Sequence, residues 1–549
     1  MRPGTKNRSG MAAATAAITV ENIGTYTVAT GVNLREALRM QGLYIDGSCG
    51  DKGTCGRCIV RILSGDAGHP SLSEAGMLGA DPVARDRRLA CRVTVTGDLS
   101  VAVDPERILE VDRTGRWKEI QDSPLFDPAR LDLDGDGYGV AMDLGTTSIA
   151  AALYELATGR LVDIRTAANP QLPWGDEIIT RLEGAARDRD TAALLRDLLW
   201  ETVRGMVSSL ARRGSISPGR ISRFVAVANS AVHHLALGLD VEPLLTPPFA
   251  PAVNGAVSFP AHTSPFELPC GKDAVVHFAP LIGGYAGSDA LVSLLAARST
   301  GVQTGAVIDV GTNTEIAVWG KGKVMVATAP SGPAFEGGHI RSGMRAVEGA
   351  VWRVDLLEDS VRYHVIGDVE PLGICGTGII DAVAGMVSRK VVDRSGLVKK
   401  GSHPSLSEKG LLLNGPNGVF LEPVDVATIQ KAKSAIAATL QVVLNSMGLK
   451  PSELENVYLA GAFGSRLNVE NAVRIGLLPE LPSDRFENDR YVLAGNAALV
   501  GASMALLSSE SMEAARELAR GITHLNVADD PEFQELFIEN LYFPERELH

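Results

Sequence analysis

An apolar strand running into Asp-x-Gly-Thr occurs twice in this chain, 166 residues apart, and no other feature constrains the fold so strongly. The first copy, Val140–Leu144, enters Asp143-Leu-Gly145-Thr146-Thr147 and continues into a second strand over 149–156 and a Thr-Gly turn. The second, Ala306–Val310, enters Asp309-Val-Gly311-Thr312-Asn313, then Glu315–Trp319, a Lys-Gly-Lys turn and a strand over 324–329. A third glycine turn, Leu459-Ala-Gly461-Ala-Phe-Gly464-Ser465, follows a helix whose apolar positions Ile436, Leu440, Val443, Leu444 and Met447 keep helical spacing. Duplication of an α/β unit predicts two similar lobes facing one another across a cleft, where ligands tend to bind.

Each turn has a definite chemistry. A strand ending in Asp-x-Gly-Thr sets a carboxylate beside a tight turn rich in backbone N–H groups and a hydroxyl. The amides and threonines can cradle phosphate oxygens, while the carboxylate can hold Mg²⁺ through water. Asp143 and Asp309 are therefore candidates to position Mg²⁺ and water, with Gly145, Thr146, Thr147, Gly311, Thr312 and Asn313 as phosphate contacts. Asp289, in Gly-Gly-Tyr-Ala-Gly-Ser-Asp289, and Glu336, in Gly-Pro-Ala-Phe-Glu336-Gly-Gly, are candidates to orient an attacking water. One such turn alone is as readily an ordinary hairpin; two in register with the third glycine turn are not.

Four of the six cysteines fall within residues 49–91: Cys49, Cys55 and Cys58 in a loop with glycine at 47, 50, 53 and 56, then Cys91 in Arg-Arg-Leu-Ala-Cys91. Four thiolates suit a 2Fe-2S cluster. Zinc also accepts four thiolates, but zinc ribbons supply two Cys-x-x-Cys knuckles and only Cys55 and Cys58 form one here. Six cysteines in 549 residues are too sparse for a disulfide framework. Cys270 and Cys375 read as free thiols, the latter in a Gly-rich loop that could line the cleft. Adjacent His233 and His234 point to different sides of any helix, which argues against a joint metal site.

Composition bounds the remainder. A net charge of −13 argues against nucleic acid or an anionic membrane as partner. Residues 18–103 hold nine basic and nine acidic side chains, so the acidity lies elsewhere. No apolar run approaches the roughly 18 residues that span a bilayer, and a cytoplasmic protein is expected. Met1 and Met11 are both open as translation starts.

The cysteine loop with its distant Arg-Leu-Ala-Cys resembles ferredoxins, with the five-residue first gap of the adrenodoxin-type or bacterial subgroup. The two Asp-Gly-Thr turns and the Gly461 turn resemble the phosphate and adenosine motifs of the ATPase superfamily of acetate and sugar kinases, heat-shock chaperones and actin. In combination the chain is similar, from Ile18 onward, to the reductive activators of corrinoid proteins. Further matching stretches are Asn169-Pro-Gln171, Gly175-Asp176 to Arg181, Ala228-Asn229 to His234, Gly332 to Gly338, Gly373 to Gly378 and Tyr542-Phe543-Pro544.

The resemblance implies an α/β multidomain chain. A disordered tail (1–17) precedes a β-grasp 2Fe-2S ferredoxin domain (18–103) and a linker (104–137). Duplicated RNase H-like lobes of the actin and sugar kinase ATPase fold follow (138–302 and 303–510), then a C-terminal extension (511–549) docked on the core. It implies a 2Fe-2S cluster on Cys49, Cys55, Cys58 and Cys91, and ATP with Mg²⁺ on the turns. The implied activity is ATP-dependent reduction of the Co(II) corrinoid of a methyltransferase-system protein to Co(I). An external reductase or ferredoxin would feed the cluster, and the chain would be a homodimer. Two rivals remain: an ATP-dependent activator of another low-potential metalloenzyme, and a metabolite kinase carrying a redox-sensing ferredoxin domain.

Overall fold

The computed structural model describes the chain except residues 1–14, 22–23, 40–44, 46–57, 72–73, 75–77, 79–85, 104–122, 176–177, 414–417, 462–465, 483–489, 528–529 and 546–549. Cys49, Cys55 and Gly464 therefore lie outside the described residues, as do 104–122 of the expected linker. The chain divides into two compact units, residues 1–111 with 168–181, and residues 112–167 with 182–549.

The first unit contains a five-stranded sheet in the order β2-β1-β5-β3-β4, built from β1 (Thr15–Val20), β2 (Gly24–Ala29), β3 (Ile59–Ser64), β4 (Arg87–Leu89) and β5 (Leu99–Ala102). β1 and β2 form the expected hairpin, with Ile18 opposite Tyr26, and β1 runs parallel to β5. Alternation along β1 buries Ala16, Ile18 and Val20 on one face. The strand thus begins inside the stretch read as a tail, and Ala17 N–H donates to Asp98 at 2.7 Å. Helix α1 (Leu34–Arg39) starts at Asn33, whose Oδ1 accepts from Glu36 N–H at 2.8 Å, and buries Leu34 and Leu38 in the same core. In the 168–181 segment Arg181, fully buried, donates to the Gly175 carbonyl at 2.7 Å.

The second unit is the duplicated one. Its first lobe is a six-stranded sheet of β6 (Tyr138–Leu144), β7 (Ser148–Glu155), β8 (Arg160–Ala168), β9 (Ile221–Val227), β10 (Val257–Pro260) and β11 (Val275–Phe278), ordered β10-β11-β9-β6-β7-β8. Its helices are α2 (Ile178–Arg187, of which residues 182–187 fall in this unit), α3 (Arg189–Arg213), α4 (Ser230–Leu237) and α5 (Ser288–Arg298). The second lobe repeats the antiparallel meander as β12 (Gly305–Val310), β13 (Thr314–Gly320) and β14 (Lys323–Ala329). Two three-stranded sheets follow: β15 (Ala350–Leu356), β16 (Val361–Val365) and β17 (Gly373–Ile374), then β18 (Leu406–Ser407), β19 (Gly410–Leu412) and β20 (Phe420–Leu421). β21 (Asn456–Gly461) and β22 (Tyr491–Gly495) join the main sheet parallel to β12, and β23 (Thr523–Leu525) closes its far edge, giving β22-β21-β12-β13-β14-β23. Helices α6 (Gly376–Ser388), α7 (Pro423–Met447), α8 (Val469–Arg474), α9 (Ala497–Leu507), α10 (Ser509–Gly521) and α11 (Pro531–Leu541) complete it.

The two lobes meet through α5 and α9. These helices touch so closely that a Cβ on Gly501 would lie 2.1 Å from the Val292 carbonyl oxygen. Both are apolar around their circumference, as a helix buried between two sheets must be.

Residues 123–137 were expected to be spacer, yet they pack on this unit. Leu125 is buried, the Phe126 ring lies 5.8 Å from Tyr154, and Asp134 binds Arg223 and accepts from Ser509 N–H. The four apolar residues at 125, 126, 131 and 133 give an Asp- and Pro-rich segment enough to bury.

The C-terminal extension packs on this unit. α11 lies along α7, with Phe533 and Phe543 buried. The buried Lys433 holds its end: the ammonium donates to the carbonyls of Asn540 and Tyr542 and sits 5.3 Å over the Phe543 ring. Burial draws this lysine down to about 7, while the carbonyls left over at the helix C-terminus are natural partners for its charged form. Lys433→Met is expected to cost about 2–4 kcal/mol, because two carbonyls lose their donor, read as a lower unfolding midpoint with unchanged cluster absorbance.

Candidate functional site

The second unit brings the two Asp-Gly-Thr turns together. Asp143 and Asp309 are each the last residue but one of their strands, β6 and β12, at the same place in each meander. Their charges reach one another: Asp309 is pushed up to about 7, first by burial and then by Asp143. Asp289, on the first turn of α5, is pushed up to about 8 by burial, Asp143 and Asp309. Glu315, directly across the ladder from Asp309, is raised well above its ordinary value by burial, Asp289 and Asp309. These four residues keep intermediate solvent exposure rather than being sealed in a core.

The turns themselves are tightly built. A Cβ on Gly145 would fall 2.6 Å from the Ser148 carbonyl, so only glycine closes the first turn without a shift. In the second turn Thr312 Oγ1 donates to Glu336 Oε2 at 2.6 Å, which ties the predicted Glu336 to the phosphate turn. Ser331 Oγ reaches the carbonyls of Gly311 and Thr312 at 3.2 and 3.4 Å and bonds Thr314 at 2.8 Å. Thr147 and Asn313 lie in the same two turns with intermediate exposure. The third turn begins at Gly461, at φ +83°, where a Cβ would lie 2.3 Å from Asp309 Oδ1. The parallel pairing of β21 with β12 causes this, because it aligns Ala460 with Asp309.

Asp289 reaches the cleft because its loop is locked to the start of α4. A Cβ on Gly287 would fall 2.1 Å from the Ala228 carbonyl, and Ser288 Oγ both accepts from Ala228 N–H and donates to its carbonyl.

Burial and neighbouring carboxylates are the causes that raise these acids, which is the environment a cation relieves. Among the described residues no three His, Cys, Asp or Glu side chains converge tightly enough to ligate a metal directly. A cation here would be held through water, which suits Mg²⁺, since it keeps several waters. The titration has a consequence for the free protein. With Asp309 raised from 3.8 to about 7, its contribution to stability is full below the unfolded value and is lost as pH rises through the folded one. Asp309→Asn should therefore raise the unfolding midpoint of the nucleotide-free chain at pH 8 and leave it nearly unchanged at pH 4, as measured by calorimetry.

In the first unit, Cys58 and Cys91 are buried with their sulfurs 3.3 Å apart, close enough to face one iron and not disulfide-bonded. The Ala90 N–H donates to the Cys58 carbonyl at 2.7 Å, so the two strand ends are tied beside the thiols. Arg88 enters the core to meet Glu74 at 3.0 Å and the carbonyls of Ala67 and Gly68 at 2.5 and 2.6 Å. Burial alone would raise Glu74, but Arg88 and the N–H groups of Ser71 and Leu89 hold it below the usual carboxylate range. A pair of buried sulfurs at this spacing fits half the donor set of a 2Fe-2S cluster.

Cys375 is buried against the Val351 carbonyl and Thr377, so it does not line the cleft, and burial pushes its thiol up. His234 uses both nitrogens on backbone, donating to Ser230 and accepting from Ala252 N–H. His233 packs edge-on against Phe278, and burial draws it down to about 3.

Sequence reasoning missed Glu315, Asn229 and Asn496. Asn229 Nδ2 donates to Thr146 Oγ1 at 2.7 Å, and Asn496 Nδ2 donates to Asp143 Oδ2 at 2.9 Å. Each asparagine directly precedes a helix, which is a capping signal, but nothing local reveals the second contact.

Comparisons with known proteins match successive stretches of this chain. Residues 18–96 match the 2Fe-2S iron-sulfur cluster binding domain, 138–299 the RACo middle region, and 303–549 the C-terminal domain of RACo, the ASKHA domain. The corrinoid activation enzyme RamQ of Eubacterium limosum is 33% identical over 425 residues, covering 74% of this chain and 70% of that protein. The [Co(II) methylated amine-specific corrinoid protein] reductase of Methanosarcina barkeri is 28% identical over 442 residues, covering 74% and 77%. A solved structure named reductive activator for corrinoid, iron-sulfur protein has the same fold, with a TM-score of 0.66 at 24% identity over 96% of this chain and 98% of that one. The chain belongs to the family of corrinoid-protein reductive activators.

Proposed function

We propose that this chain uses ATP to pass one electron from a 2Fe-2S cluster to the Co(II) corrinoid of a partner protein, restoring Co(I). The observation that carries the reading is the pair of Asp-Gly-Thr turns at equivalent places in two like meanders, with Glu315 across the ladder from Asp309 and Gly461 against the Asp309 carboxylate, in a chain 33% identical to a named corrinoid activation enzyme. Asp143 and Asp309 hold Mg²⁺ through its waters. The amides and hydroxyls at Gly145, Thr146, Thr147, Gly311, Thr312 and Asn313 take the phosphates, and the turn at Gly461 and Gly464 takes the adenosine. Asp289 and Glu336 orient the water that attacks the terminal phosphate. Cys49, Cys55, Cys58 and Cys91 hold the cluster, which supplies a one-electron donor of low potential when bound; an external reductase or ferredoxin refills it.

Energetics explain why both halves are present. Ferredoxin clusters of the plant type sit near −400 mV. A Co(II)/Co(I) couple ~100–200 mV lower opposes transfer by ~2–5 kcal/mol for one electron. ATP shifts that balance only through a state that binds the corrinoid partner differently with and without nucleotide. Lobe closure over the nucleotide, about the α5–α9 contact, is such a two-state element.

The test is an ATPase assay with and without the Co(II) corrinoid protein. Slow hydrolysis, stimulated by the partner and reduced at least about 100-fold in Asp143→Ala, is the expected result. Transfer of phosphate to an added small acceptor would favour a kinase and sink this reading.

A further inference from the structure

Asn229 and Asn496 make the same two hydrogen bonds at different places. Asn229 Oδ1 accepts from Val232 N–H at 2.9 Å, capping α4, while its Nδ2 donates to Thr146 Oγ1 at 2.7 Å. Asn496 Oδ1 accepts from Leu499 N–H at 2.7 Å, capping α9, while its Nδ2 donates to Asp143 Oδ2 at 2.9 Å. The cap fixes which end of each amide is oxygen, because only oxygen can accept the backbone N–H. The NH₂ end is then forced toward the first phosphate turn.

We propose that Asn229 and Asn496 are positioning residues that set the orientation of the Thr146 hydroxyl and the Asp143 carboxylate, using rigid helix starts as their supports. The proposal rests on the reading of this turn as the ATP and Mg²⁺ site. Accepting from Asn229 turns the Thr146 hydroxyl proton away from that amide. Donation from Asn496 holds Asp143 by one oxygen and so fixes the carboxylate plane, which a rotating carboxylate could not do for a water-held cation.

Asn496 adds a second consequence through its place in the chain. It directly follows β22, a strand of the second lobe that ends on Gly495 at φ +62°, where the chain turns in a conformation that favours glycine. The helix it caps lies on the first lobe: a Cβ on Gly139 of β6 would come 2.9 Å from Leu506 of α9. The Asn496–Asp143 bond is thus a strut from the exit of one lobe to the acidic end of the other lobe's strand. A shift of the second lobe relative to the first pulls on Asp143 through one amide. Serine would cap either helix as well as asparagine does, but it lacks the second donor, so substitution separates capping from positioning.

The experiment compares full-length wild type with Asn496→Ser, Asn229→Ser and Asn496→Asp, measuring unfolding midpoint, cluster absorbance, ATPase kcat and KM, and Mg²⁺ half-saturation. Both serine variants should melt with wild-type and keep the cluster spectrum. Asn496→Ser should lose about tenfold or more in kcat and need about tenfold more Mg²⁺, as loss of a hydrogen bond to a charged group predicts. Asn229→Ser should act chiefly on KM for ATP. Asn496→Asp keeps the strongest cap and faces Asp143 with a second negative charge, so it should be the slowest; it also serves as the folded variant if serine proves unstable. Wild-type kcat and Mg²⁺ dependence in folded Asn496→Ser and Asn496→Asp overturns the positioning role while leaving the ATP site intact. A wild-type chain that neither binds nor hydrolyses ATP with Mg²⁺ overturns the site reading, and this proposal with it.

Discussion

Cys58→Ser and Cys91→Ser are expected to give colourless protein that still hydrolyses ATP but forms no Co(I). The two sulfurs lie 3.3 Å apart in the core of the first unit, Cys58 just before β3 and Cys91 in the turn after β4, and each is almost fully buried. A hydroxyl at either place cannot replace a thiolate on iron. The residues proposed to handle ATP belong to the other unit, and the cysteines pack in a core within the first. Visible absorbance and iron content should fall to background, Co(I) formation should be abolished, and unstimulated ATPase should stay within about twofold. Bound zinc with a preserved fold in the wild-type chain would remove the basis for this expectation.

The second large effect is expected at Gly461. Any Cβ there lies 2.3 Å from Asp309 Oδ1 and 2.4 Å from the Val310 carbonyl, and φ is +83°. Gly461→Ala must therefore either move the Asp309 carboxylate or shift β21 against β12, and both displace the acid assigned to Mg²⁺. A misplacement of this size costs about 100-fold or more in rate. The expected result is near-complete loss of ATPase and of ATP-dependent Co(II) reduction, with the cluster spectrum intact. Gly322→Ala, where a Cβ would meet nothing within 4 Å, is the matched control for positive-φ strain alone.

Features that depend on neighbours in sequence were legible from the sequence. The meanders around Asp143 and Asp309 follow from apolar strands broken by Gly-Thr, and β7 and β13 begin within a residue of expectation. The helix through Ile436 and Met447 and the docked C-terminal helix follow from apolar spacing and from aromatics that need burial. Features that depend on distant partners were not legible. Glu315 alternates along a strand like any exposed glutamate and becomes part of the site only because β13 pairs with β12. Asn496 carries a capping signal, but its contact with Asp143 spans 353 residues. Lys433 reads as one more helix-surface lysine until α11 covers it. Residues 123–137 misled in the other direction: a polar composition hid Leu125 and Phe126, whose burial ties the segment to the first lobe. Cys375 was set in a glycine-rich loop that faces the core, since a Cβ at Gly376 would come 2.0 Å from the Phe335 carbonyl.

The account turns on ATP being required for the electron to reach cobalt, and one single-turnover experiment tests that directly. Full-length protein with its cluster reduced, freed of excess reductant, is mixed anaerobically with the Co(II) corrinoid protein, and cluster oxidation and Co(I) absorbance are followed together. With ATP and Mg²⁺, one cluster should be oxidised for each Co(I) formed; without ATP, or in Asp143→Ala, both signals should stay flat. Equal Co(I) formation with and without ATP, or Co(I) formed by a chain lacking residues 1–103 from the same electron source, would contradict it.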